Sequence, residues 1–232
     1  MRDFWDEAAR KNAAWYVDTT LDYDHPDMER FFESGKMIVG EALDGAPVAP
    51  AGRTKAVEIG SGLGRVCLAL ADRFDSVTGI DISPEMVQRA RELVHNDRVS
   101  FVVGDGASLG GVDDASVDLV LSFTVFQHIP RVEVIEAYIA EAGRILRPGG
   151  MFVFQWNNGG GSMRWTLRRG VLALLQKTGL RPEQYRRHAP EFLGSTVSLE
   201  RITRALAAGG MEVRKTQGLG TLFAWVWAVR TA

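Results

Sequence analysis

Cysteine is nearly absent from this chain: among 232 residues there is one, Cys67. An internal disulfide is therefore excluded, and a reducing compartment is expected. Cys67 falls on the apolar face of a predicted helix, where packing is expected rather than nucleophilic chemistry. Long hydrophobic runs are missing too. The longest, Leu222 to Val229, is too short to cross a bilayer, and Met1 to Glu7 is charged with no apolar leader core. The expectation is no membrane span and a cytoplasmic location. Nor is either charge in excess, with 27 Lys and Arg against 29 Asp and Glu and a formal net charge of -2. No global field draws the chain to nucleic acid, which is disfavoured as a partner unless the contact is local. With 46% hydrophobic and 24% charged residues the composition is ordinary for a globular protein. The length suits a single α/β domain, residues 1–232, rather than two.

What the chain does have is a run of alternating glycines. Val57-Glu58-Ile59-Gly60-Ser61-Gly62-Leu63-Gly64-Arg65 passes from an apolar segment through the glycines into an apolar helical pattern. It reads as strand, turn, helix. Without a Cβ, Gly60, Gly62 and Gly64 can adopt positive φ and let a ligand approach bare backbone. A dinucleotide turn reads G-x-G-x-x-G. Counted from Gly60 its last position is Arg65, and the Glu58 carboxylate before the turn would repel a pyrophosphate. The residues fit E-x-G-x-G-x-G instead. In this the segment resembles motif I of the class I S-adenosylmethionine (SAM)-dependent methyltransferases. Their ligand carries an ammonium and a sulfonium but no phosphate, so a carboxylate beside the turn suits it.

The following segments alternate as parallel βαβ units do. Val66, Leu68, Ala69 and Leu70 give a helix, and Ser76 to Ile80 gives a second strand ending at Asp81. An acid at this strand end can accept both ribose hydroxyls of a nucleoside. The competing role, helix cap, falls better to Ser83, which is followed by Pro84 and Glu85. A third strand, Val99 to Val103, ends in Gly104-Asp105-Gly106-Ala107, a loop thin enough to approach a ring. The resemblance implies that Ile82 packs on adenine and that Asp105 bonds the adenine amino group. It implies a cofactor site of Glu58, Gly60, Ser61, Gly62, Gly64, Asp81, Ile82, Gly104, Asp105, Gly106, Ala107, Ser122 and Phe123. That site would hold SAM before transfer and S-adenosyl-L-homocysteine (SAH) after it. No compact metal-ligand cluster is seen, and no metal is expected.

A fourth strand, Val117 to Leu121, runs into Ser122-Phe123-Thr124-Val125-Phe126-Gln127-His128-Ile129, which resembles the acceptor side of small-molecule methyltransferases. Neither an Asn/Asp-Pro-Pro-aromatic motif nor a Pro-Cys nucleophile is present. His128 is the candidate catalytic base, since imidazole titrates near ~6.5; capping the helix or orienting the loop is the competing role. A helix over about 132–146 leads through Arg147-Pro148-Gly149-Gly150 to a fifth strand, Met151 to Trp156. Before the core, helices over about 4–16 and 27–43 form an N-terminal cap, residues 1–50, with Gly35 as a candidate break. Trp5, Trp15, Tyr16 and Phe31 either cover the cofactor or pack on the sheet.

The SAM-binding core is 51–156. Residues 157–197 interrupt the alternation and read as an inserted helical lid. Arg164, Arg168, Arg169, Lys177, Arg181, Arg186 and Arg187 make it basic, suited to an anionic or aromatic small-molecule acceptor or simply a solvated helix face. Residues 198–232 read as a helix starting at Ser198 and two strands, 211–216 and 221–230, joined tightly enough to be antiparallel. The expected fold is a Rossmann-like, seven-stranded, mostly parallel α/β sheet with an antiparallel last strand and helices on both faces. The resemblance implies methyl transfer to oxygen or nitrogen of a metabolite or natural product. The alternatives are an RNA or protein methyltransferase using the basic insertion, a non-catalytic SAM-binding protein and, more distantly, a nicotinamide oxidoreductase.

Overall fold

A computed structural model of the chain describes residues 1–159 and 194–231. It opens with α1 (Arg2–Val17) and α2 (Met28–Asp44). Asp27 caps α2 by accepting from the Arg30 backbone N–H, leaving one fewer unsatisfied donor at the helix start. α1 is kinked at Asn12, whose φ/ψ of -165/84 lies outside the helical region. The Asn12 Oδ1 accepts from the Trp15 N–H at 3.0 Å and so restarts the helix.

Strands β1 (Lys55–Ile59), β2 (Ser76–Asp81), β3 (Val99–Val103), β4 (Val117–Ser122), β5 (Leu146–Trp156), β6 (Met211–Gln217) and β7 (Ala224–Arg230) form one sheet in the order β3-β2-β1-β4-β5-β7-β6. Neighbours among β1 to β5 are parallel, whereas β7 runs antiparallel to both β5 and β6. The expected sheet is thus observed. The order reverses between β1 and β4, and the glycine turn leaves β1 at this switch point, where open α/β sheets bind ligands.

Helices cover both faces. On one, α2, α3 (Arg65–Leu70) and α4 (Pro84–Leu93) pack Ile38, Val66 and Val87 with Leu119 and Trp227. On the other, α5 (Val132–Ile145) and α6 (Leu199–Ala208) pack Ile135, Ile139 and Leu206 against Val57, Phe152 and Phe154. Covered on both sides, the central β4 is buried along its whole length.

Three expectations are corrected. Gly35 does not break α2, which continues through it. A Cβ there would lie 2.2 Å from the Arg65 carbonyl oxygen, so this glycine allows α2 to cross the start of α3 closely. β5 begins at Leu146 rather than Met151, because Leu146 pairs with Val117 before the register shifts and Met151 pairs with Leu119. Between them Arg147 ion-pairs with buried Asp118 at 3.1 Å and donates to the Ser116 carbonyl at 2.7 Å, which holds the irregular stretch in place. The closing hairpin has a longer connection than expected, residues 218–223.

Of the predicted insertion, 160–193 lie outside the described residues, and with them all seven basic side chains named above. Its two ends meet: the Val197 N–H donates to the Asn157 carbonyl at 2.9 Å and the Trp156 indole to the Val197 carbonyl at 3.0 Å. Ser198 caps α6 as predicted. Among the described residues no helix is long and apolar enough to cross a membrane.

Candidate cofactor and acceptor site

The glycine turn takes the backbone its sequence suggested, with φ of 74, 50 and 85 at Gly60, Gly62 and Gly64. Gly60 and Ser61 donate their N–H groups to the Ile80 carbonyl at 2.7 and 3.2 Å, which fastens the turn to β2. The glycines also make room for protein. A Cβ on Gly60 would lie 2.3 Å from Val125, one on Gly62 3.0 Å from Val17, and one on Gly64 2.5 Å from Phe101. Any ligand here therefore meets the turn through its polar groups and flanking acids rather than through the faces these side chains cover.

Asp81 stands at the centre of those acids. One carboxylate oxygen accepts from the Gly62 N–H at 2.8 Å and the other from the Ser83 N–H at 2.9 Å. Burial pushes this carboxyl above its ordinary range, against the lowering effect of the two N–H groups. The Ser83 hydroxyl accepts from the Met86 N–H at 3.1 Å, as the predicted cap, and donates to Asp6 of α1. Asp6 also accepts from the Glu85 N–H at 3.2 Å, so α1 helps close the amino end of α4. Arg2 reaches further, donating to the Ile82 and Gly104 carbonyls at 3.1 and 2.9 Å. It joins the loops after β2 and β3.

Ile82 packs across Gly106, whose φ is 92 and where a Cβ would lie 2.6 Å from the Ile82 Cδ1. Asp105 is exposed and folds its own loop, accepting from the N–H groups of Ala107 and Ser108 at 2.8 and 2.7 Å and from the Ser108 hydroxyl at 2.6 Å. Those bonds, the hydroxyl's foremost, hold its carboxyl below the ordinary range. Glu58 is the opposite case. It is buried and accepts from the Cys67 thiol at 2.9 Å, and burial pushes it up to about 8.

At the end of β4, the buried Ser122 hydroxyl donates to the Ile59 carbonyl at 3.1 Å and ties two strand ends together. The Phe123 ring stands 5.7 Å from that of Trp225. Thr124 has a φ of 54, uncommon for a residue with a branched Cβ. It turns the chain so that Val125 lies on Gly60 and Phe126 enters the core. The half-buried His128 follows, its ring edge-on to Trp5 at 5.5 Å. Among the described residues neither amide atom of the buried Gln127 finds a hydrogen-bond partner, nor do the buried Ser61 hydroxyl and the Gln155 carbonyl oxygen.

The structure thus brings the predicted residues to one edge of the sheet, in three groups: the turn with Glu58 and Asp81, the Ile82–Ala107 loops, and Ser122 to His128. Trp15, Tyr16 and Phe31 are buried among helices. Sequence reasoning missed Arg65, whose guanidinium is buried against Asp18 at 2.6 Å and Ser34 at 2.9 Å, over the Phe31 ring. It also missed Asp6 and Arg2. The departure of Arg65 from the dinucleotide pattern was the one available signal; nothing marked its partners.

A glycine turn at the switch point of a sheet with this strand order, flanked by acids at successive strand ends, defines the class I SAM-dependent methyltransferase fold. Residues 57–154 match the family model of a methyltransferase domain. It is 32% identical over 169 residues to 2-methyl-6-phytyl-1,4-hydroquinone methyltransferase of Synechocystis, an alignment covering 66% of this chain and 52% of that protein. The chain therefore spans about half the length of this relative. Two solved structures share the fold. One is a methyltransferase in complex with the Trm112 methyltransferase activator of Haloferax volcanii, at 22% identity and TM-score 0.65 over 95% of this chain and 97% of that one. The other is geranyl diphosphate C-methyltransferase of Streptomyces coelicolor A3(2), with Mg2+, geranyl diphosphate and SAH, at 17% identity and TM-score 0.62 over 88% and 80%.

Proposed function

We propose that the protein binds SAM at the glycine turn and transfers its methyl group to an oxygen or nitrogen of a small-molecule acceptor, leaving SAH. The observation that carries this reading is the donor and acceptor chemistry around Asp81. A carboxylate offers about four lone-pair sites, and backbone N–H groups use one on each oxygen. One acceptor site per oxygen remains, which suits the two hydroxyls of a ribose. Glu58 supplies a second acid beside the turn, and Ser61 a buried hydroxyl with no hydrogen-bond partner among the described residues. Such a set suits an ammonium and a neutral sugar and opposes a diphosphate.

SAM supplies a methyl group already activated by its sulfonium. The chain's own residues bind, orient and exclude water. Ile82 and Gly106 form one wall for a flat ring. Ser122 keeps the ends of β1 and β4 in register, and Phe123 with Val125 shields the acceptor side of the turn from solvent. Holding two reactants in line removes ~7 to 11 kcal/mol of barrier in good cases, so a strong base is not required. Where the acceptor carries a proton, His128 accepts it. Trp5 against its ring fixes the imidazole's orientation.

The test is incubation of the purified chain with methyl-labelled SAM and a panel of phenols, quinols, carboxylates and amines. The expected result is SAH formed in step with a labelled product, whose methyl position NMR assigns to oxygen or nitrogen. A carbon-bound methyl would overturn the choice of atom, and neither SAM binding nor SAH formation would overturn the whole reading.

A further inference from the structure

Beneath the glycine turn lies a joined pair of buried side chains. Glu58, on the α3 side of β1, is 3% exposed, and its Oε2 accepts from Cys67 Sγ at 2.9 Å. Cys67 is wholly buried, and a Cβ on Gly79 of β2 would lie 2.7 Å from its sulfur. The thiol is thus wedged between β2 and the carboxyl it serves. A thiol is a weak donor, and the cation facing the pair from α3, Arg65, has its guanidinium turned to Asp18 and Ser34. Asp81 of β2 faces it as a like charge, the Ser61 hydroxyl is neutral, and α2, α4 and β4 bring apolar side chains such as Ile38, Val87 and Leu121 to this layer. Among the described residues none of these groups balances a negative charge well. Burial accordingly pushes Glu58 up to about 8, while the Cys67 hydrogen bond and the Arg65 charge pull it down.

We propose that Glu58 enters the ligand complex by giving up its proton, and that Cys67 is the positioning residue that sets how readily it does so. The inference rests on the proposed binding of a ligand whose ammonium comes to this turn. The Glu58 O–H bond breaks, its electron pair stays on the carboxylate and the proton passes to the buffer. The ammonium then balances the charge that the buried site otherwise disfavours. Cofactor capture becomes proton-linked, with the thiol as its adjuster: its hydrogen bond favours the carboxylate form.

Calorimetric titration of the whole chain with SAH tests this, run from pH 6 to 8.5 in two buffers of different ionisation enthalpy. Release approaching one proton per SAH is expected near pH 7, with affinity rising about tenfold per pH unit until pH approaches the Glu58 value. Glu58→Gln should bind without proton release and with a flat profile. Cys67→Ala should move the midpoint of release to higher pH, and Cys67→Ser should return it towards that of the parent. A proton count near zero in the parent overturns the proposal, as does release that survives Glu58→Gln. An unmoved midpoint in Cys67→Ala removes the role of the thiol, and this comparison stands even if Glu58→Gln fails to fold. No SAH binding at any pH overturns the cofactor reading instead, so the two failures are distinguishable.

Discussion

The Oδ2 atom of Asp81 lies 2.8 Å from the backbone nitrogen of Gly62. One side chain thus holds the glycine turn to the end of the neighbouring strand while keeping lone pairs for a ligand. Asp81→Ala removes both functions. Hydrogen bonds to a charged acceptor contribute ~1.5 to 3 kcal/mol each, so loss of two of them should lower SAM affinity by about two to four orders of magnitude. Asp81→Asn, which keeps one acceptor oxygen, should lie between. Calorimetry giving an unchanged dissociation constant for the alanine variant would remove Asp81 from the ribose role.

The Asp18–Arg65 pair joins the end of α1 to the start of α3, with side chains only 16% and 7% exposed. Removing one partner of a buried pair leaves the other charge uncompensated and costs about 3 kcal/mol. Asp18→Ala should lower the urea midpoint by a corresponding amount. Because Val17 lies against Gly62, it should also weaken SAM binding, although Asp18 itself faces Arg65 and not the turn. Stability equal to that of the parent would show that Arg65 finds another partner.

Gly35 offers a purely steric test. Its missing Cβ is what lets α2 lie against the Arg65 carbonyl, and a backbone atom cannot move aside as a flexible side chain can. Gly35→Ala raises the intrinsic helix preference of α2 by about 1 kcal/mol, yet it should destabilise the protein, by roughly 1 to 3 kcal/mol from overpacking. Thermal melting showing the variant to be more stable would mean that the two helices separate freely.

This glycine also shows where legibility ended. The sheet, the turn and Asp81 could be read because strand periodicity, glycine spacing and an acid at a strand end are local patterns. Gly35 carries the same letter whether it breaks a helix or admits another backbone, and only the position of α3 decides. Arg65 with Asp18, and Val125 against Gly60, are pairings between distant segments that no local spacing encodes. The early start of β5 depends on Asp118, a charge in a buried strand whose partner Arg147 lies in the segment that the sequence places before the strand.

Glu58 makes the ligand-free protein sensitive to alkali. Burial, its largest influence, raises the folded-state value to about 8 from an ordinary 4.5. The folded state therefore binds more protons than the unfolded one between those values, and stability falls as pH rises through that window. The contribution is fully present below about 4.5 and lost by about 8. Glu58→Gln should abolish this slope and, at pH 8, exceed the parent in stability by an amount on the order of a few kcal/mol. Melting temperatures at pH 5, 6.5 and 8 give the comparison. Parallel curves for the two proteins would show that Glu58 is charged in the folded state.

His128 is the group whose role turns most on the acceptor. It follows a residue of positive φ, Thr124, and packs edge-on against Trp5 of α1, so its ring is held at the carboxyl edge rather than buried in the sheet. As proton acceptor for a hydroxyl or ammonium substrate it would contribute ~100-fold or more to turnover. His128→Ala should then lower kcat by that factor, leave SAM affinity within about twofold and abolish the rise of rate with pH on the acidic side. His128→Gln preserves hydrogen bonding without proton transfer. If it restores the rate, the ring serves to position the loop and the acceptor loses its proton to solvent. If both variants fail alike and the pH limb disappears in both, the imidazole is the base. Trp5→Ala completes the argument, because loss of the ring's support should lower kcat part of the way while keeping the pH limb that the imidazole provides.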